Sequence, residues 1–84
     1  MLNKNIEKVE EKVGVVVAFV KNITPLLLIW RRRRIPIRKN NLFFKKKVGE
    51  KLFYYFFASD KDDNCYKLCF DTEKMEWKLE EVTF

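Results

Sequence analysis

Histidine is absent from this chain of 84 residues, and serine occurs once, at Ser59. Those gaps remove the commonest general base and leave one copy, beside a turn, of the commonest hydroxyl nucleophile. Glycine is confined to Gly14 and Gly49, too few and too isolated for a phosphate-cradling loop. Without histidine, Cys65 and Cys69 cannot close a zinc site within one chain unless carboxylates or a second chain contribute. They lie four residues apart, about 13 Å along a strand at ~3.3 Å per residue, too far for a disulfide. Two small buried or half-buried thiols in a reducing compartment are expected, and we take it to be the cytoplasm. No repeat and no Ser- or Gly-rich linker divides the chain, so residues 1–84 are expected to form one domain.

The acids offer little chemistry. Asp62–Asp63 sit in a turn-like run, where carboxylates are usually just solvated. Glu80–Glu81 are adjacent in an extended segment and so point to opposite faces. "DKDDN" (60–64) superficially suggests a calcium loop but lacks its glycine and its terminal bidentate glutamate. A non-enzymatic protein without metal or cofactor is expected.

What the chain does contain is strongly two-toned: 48% hydrophobic residues, 15% aromatic and 36% charged. That much apolar material excludes charge-driven disorder and can build a core. Charge is unevenly placed. The net value is +6, yet residues 31–47 hold nine basic residues and no acid, whereas residues 59–84 hold eight acids against four lysines. Such asymmetry implies a basic face and an acidic or mixed one, suited either to a polyanion or to head-to-tail self-association.

An apolar stretch from Val13 to Trp30, followed by four arginines, has the flanks of a membrane span. Lys21, Asn22, Thr24 and Pro25 interrupt it, and a lysine at bilayer centre costs about 2.5–3.5 kcal/mol. Two short segments around a polar turn, a β-hairpin, fit better, and no membrane span is expected. Ahead of it, "NIEKVEEKVG" reads as a short helical extension over residues 1–14. Asn5 would cap it, Glu7 would complement its dipole, and Gly14 would end it. Ile6, Val9 and Val13 would share one face.

From residue 15 onward the pattern is extended. "VVVAFV" (15–20), "LLLIW" (26–30) and "RIPIRKNNLFFKKK" (34–47, broken at Asn40–Asn41) read as strands, with Pro36 favouring an edge or a bulge. "KLFYYFFAS" (51–59) is apolar on both faces and is the candidate central strand. In "CYKLCFD" and "EWKLEEV" apolar and polar residues alternate, the mark of an antiparallel sheet with one wet face. The expected fold is mainly β (α+β): a helix, then an antiparallel meander of about six strands over 15–84, curled into a small, partly open barrel.

"PLLLIWRRRRIPI", "LFYYFFAS", "YKLCFD" and "EWKLEEV" together resemble a small bacterial domain family of unknown function, some members of which are associated with translesion-type DNA polymerases. The resemblance covers Pro25 to Phe84. It implies a β fold and a DNA-repair setting and supplies no active site. The chain departs from the family pattern near Arg32, where a turn glycine is expected, and in its longer N-terminus.

The basic run is therefore the one surface feature that points to a partner. Arg31, Arg32, Arg33, Arg34, Arg38, Lys39, Lys45, Lys46 and Lys47 are the candidate phosphate-binding residues, converging on one groove for sequence-tolerant, salt-dependent binding of DNA or RNA. Trp30, Phe43, Phe44 and Tyr54 are candidate base-stacking residues. Trp30, Ile35 and Ile37 are nonetheless expected to be structural, and a competing reading extends that to the whole run. That reading makes the charges a solvated face protecting an edge strand from aggregation. A third makes the domain an interaction or dimerisation module, meeting itself or another protein by strand addition or an apolar patch.

Overall fold

The alternation read in the last two strands becomes an inside and an outside. Tyr66, Leu68 and Phe70 enter the core from one strand, and Trp77, Leu79 and Val82 from the next. The computed structural model describes residues 5–84. Seven strands follow in order: β1 (Ile6–Phe19), β2 (Ile23–Trp30), β3 (Arg33–Pro36), β4 (Lys39–Val48), β5 (Lys51–Ser59), β6 (Cys65–Asp71) and β7 (Glu76–Thr83). They form one antiparallel sheet in the order β3-β2-β1-β7-β6-β5-β4. One buried cluster draws on both halves: Leu28, Trp30 and Ile35 meet Phe56, Ala58 and the residues of β6 and β7. The sheet must curl to bring them together, but it is not closed into a barrel, because β3 and β4 remain its two edges.

The expected helix is corrected: residues 6–14 belong to β1, and residues 1–4 of the proposed extension lie outside the described residues. A helix of nine residues would be marginal alone. As a strand, the segment finds two partners: Ile6 to Val13 pairs with β7, and Gly14 to Phe19 pairs with β2. Its inward set is Val9, Glu11, Val13, Val15 and Val17, all half-buried. Glu10 sits at a bulge against β7 with φ of 54°. Gly14, read as a helix end, instead makes room on the outer face for Ile29: an added Cβ would lie 3.4 Å from the Ile29 Cβ.

Three further expectations shift. There are seven strands rather than six, because the segment 34–47 divides at Ile37–Arg38. Asn41 marks a bulge within β4, where its side-chain amide donates to the Ser59 hydroxyl, and not the break. The central strand is β7, while β5 lies next to the edge. Pro36 does occupy an edge strand. Between β3 and β4 the chain crosses the open seam in two residues: the Ile37 amide donates to the Leu26 carbonyl (2.9 Å) and the Arg38 amide to the Ser59 carbonyl (2.8 Å). Among the described residues, no helix is long and apolar enough to cross a membrane.

Candidate nucleic-acid interface

The β2–β3 hairpin turns through Arg31 and Arg32, with Trp30 opposite Arg33. Both turn residues have positive φ, 50° and 65°, as tight two-residue hairpins demand. Asn-Gly usually supplies this geometry; an arginine there costs roughly 1–2 kcal/mol. Contacts around Arg31 help to offset that cost. Its guanidinium meets the Glu11 carboxylate through Nη2 (2.5 Å) and Nε (3.3 Å), and the Trp30 Nε1 donates to the same carboxylate at 3.1 Å. The hydrogen bond from Arg31 holds the Glu11 carboxyl below the usual carboxylate range, against a smaller desolvation effect, with Trp30 assisting. Arg31 and Arg33 both lie over the Trp30 ring, 4.8 and 5.4 Å from its centre. Trp30 is 5% exposed. Of the candidate stacking residues it is therefore spent on the fold.

The remaining cations go to separate places. Arg33, Arg34 and Arg38 line a cleft of about 520 Å³ between β3 and the β5–β6 loop, joined there by Lys61. Arg38 and Lys39 border a neighbouring depression with Ser59, Asp60, Lys61 and Asp63. Lys45 lies on the inner side of β4, its Nζ 5.4 Å from the centre of the Tyr54 ring, near Lys21 of the β1–β2 turn. Lys46 stands opposite Phe53, and Lys47 opposite Leu52, on alternate faces of β4. Of the nine basic residues from 31 to 47, only Arg31 has an ion-pair partner among the described residues. The single groove expected from sequence is thus divided into an arginine cluster at the cleft and a lysine row along β4.

Aromatic rings follow the lysine row. Phe43 and Phe44 are 39% and 38% exposed, on opposite faces of β4. Phe43 packs against Phe56 and meets Tyr54 edge-on, at 4.8 and 5.6 Å between ring centres. Phe44 stacks on Tyr55 at 4.9 Å with the rings 10° from parallel, and Phe57 continues the row. Lys67 sits over Tyr55 and Phe57 while also pairing with Glu80. Burial, aided by the hydrogen bond with Cys69, pushes the Tyr55 hydroxyl up to about 12. The Cys69 thiol is likewise raised, chiefly by burial, and no disulfide joins it to Cys65.

Behind the cleft, Asp60 organises the β5–β6 loop. It accepts from the Tyr66 hydroxyl (2.7 Å), the Asn64 side chain (3.1 Å) and the amides of Asp62 and Asn64. Desolvation pushes the Asp60 carboxyl up, yet these bonds together outweigh it and leave it below its ordinary value. The Tyr66 hydroxyl is raised, by burial first and by Asp60 second. Among the described residues no group of three or more Cys, Asp or Glu is gathered for a metal ion.

Sequence reasoning missed Lys61, Lys21, Tyr55 and Phe57. Lys61 sits in a loop readable only as solvated, and its place beside the arginines follows from topology alone. Tyr55 and Phe57 belong to a strand apolar on both faces, whose outward set carries no polar marker. No family model matches the chain, and no curated protein or solved structure matches it.

Proposed function

We propose that this is a non-enzymatic domain that binds single-stranded nucleic acid weakly and without sequence preference, through β4 and its neighbour β5. One observation carries the reading: Lys45, Lys46 and Lys47 lack ion-pair partners among the described residues and stand beside the exposed rings of Phe43 and Phe44. Phosphates would meet the lysines, and each base stacked on a ring would contribute about 1–3 kcal/mol. Arg38 and Lys39 extend the basic surface around the start of β4. Two cysteines outside any disulfide suit a reducing compartment, and the cytoplasm belongs to this proposal. The resemblance to the polymerase-associated bacterial domain would place that binding in DNA repair.

A second reading rests on Leu42 and Val48, 54% and 53% exposed on the same edge strand. Exposed apolar residues along a free edge suit a protein partner or a second copy joined by strand addition. Fluorescence polarisation with labelled single- and double-stranded oligonucleotides across a salt series separates the two. The expected result is binding at low salt, preference for single strands, and a steep fall with salt. Replacing Lys45, Lys46 and Lys47 by Gln should weaken binding at least tenfold and flatten the log–log salt slope by about 2, at ~0.7 per lost phosphate contact. No binding to either oligonucleotide at about 50 mM salt would discard the nucleic-acid reading. A dimer persisting in high salt would then favour the second.

A further inference from the structure

The cleft between β3 and the β5–β6 loop lies apart from the aromatic row of β4, and its lining has a chemistry of its own. Its rim carries four cations, Arg33, Arg34, Arg38 and Lys61, against the carboxylates of Asp60 and Asp62. The surplus is two positive charges. Asp60 is also committed inward, accepting from Tyr66, Asn64 and two loop amides, so the loop is held in place while the arginines have no ion-pair partner among the described residues. Ile35, Pro36, Ile37 and Phe84 supply the apolar part of the lining. At about 520 Å³ the cleft falls within the usual range for small-molecule sites.

We infer that this cleft binds a small phosphomonoester carrying a flat ring, a ligand of mononucleotide size. A phosphate dianion matches the surplus of two positive charges, and guanidinium groups bind phosphate oxygens in pairs. The ring lies between Phe84 and the Ile35–Ile37 wall. Inorganic phosphate would gain the charge alone, and a neutral nucleoside the wall alone. This inference does not rest on oligonucleotide binding at β4, although Arg38 borders both surfaces, and the adenosine monophosphate titration decides it alone.

The test is a titration of the ¹⁵N-labelled protein with adenosine monophosphate, adenosine and inorganic phosphate, followed by amide shifts. Adenosine monophosphate is expected to shift the amides of Ile35, Arg38, Lys61 and Asn64, and to bind at least tenfold tighter than either fragment. The exposed pair R34Q/R38Q should lose at least tenfold in that affinity while keeping the spectrum of a folded sheet, and K45Q/K46Q/K47Q should leave it unchanged. Shifts centred on β4, equal binding of inorganic phosphate, or indifference to R34Q/R38Q would each overturn the assignment.

Discussion

The β2–β3 turn and strand β4 both set cations beside aromatic rings, and they do so to opposite ends. At the turn, Trp30 is buried, its indole donates to Glu11, and Arg31 is bound to the same carboxylate under a strained backbone. Along β4, Phe43 and Phe44 keep more than a third of their surface, and Lys45–Lys47 face no acid among the described residues. The difference is carboxylate supply. Strand β1 brings Glu11 beneath the turn, whereas an edge strand has a neighbour on one side only, and the neighbour of β4 is the largely aromatic β5. Sequence proximity of charge and ring is therefore no measure of availability.

The largest expected effect tests the buried side. Trp30→Ala should cost about 3–5 kcal/mol in urea unfolding, as truncation of a buried aromatic does. Phe44→Ala should cost only about 1 kcal/mol, the worth of its stacking on Tyr55, while lowering oligonucleotide affinity. Equal losses of stability from the two variants would erase the contrast.

Next comes the turn itself. Arg32→Gly should stabilise the fold by about 1 kcal/mol, because glycine adopts positive φ without the Cβ penalty. A destabilised variant would mean that the Arg32 side chain holds contacts that outweigh the backbone strain.

The subtlest prediction is a dependence on pH. The folded Glu11 carboxyl lies below its ordinary value of 4.5 because Arg31 and then Trp30 bond to it, so its contribution is complete above that value and is lost as pH falls through the lower, folded one. At the other extreme Tyr55, raised from 10.0 to about 12, favours the fold below pH 10, and that contribution is lost as pH rises towards 12. Urea midpoints measured from pH 2 to 12 should show both flanks. Glu11→Gln should flatten the acid flank, and K45Q/K46Q/K47Q should leave it alone.

How far the sequence could be read follows the same logic. Strands β6 and β7 were legible because their inward residues are all apolar and most polar residues fall on the other face, which is half-buried apart from the buried Cys69. The first half of β1 was not, because Glu11 occupies an inward position between Val9 and Val13, satisfied by Trp30, a residue nineteen places away. That polar interruption hides a period of two and leaves Ile6, Val9 and Val13 matching a helical one. The basic run was legible as charge, but its division needed the bulge at Asn41 and the break at Ile37–Arg38, which assign each lysine to a face and send the arginines to the cleft.

The pairing of β1 with β7 also dictates how the chain must assemble. Every other strand pair joins consecutive strands, so β1–β2–β3 and β4–β5–β6–β7 can each form from local hairpins. Joining Ile6 to Thr83 spans almost the whole chain and bears the greatest loop-closure entropy. The first meander holds only Leu28, Trp30 and Ile35 of the buried cluster, too little to stand alone, so it gains its stability when it docks. Zipping β1 onto β7 is thus the step expected to limit the folding rate, and its register shifts at the bulge that contains Glu10.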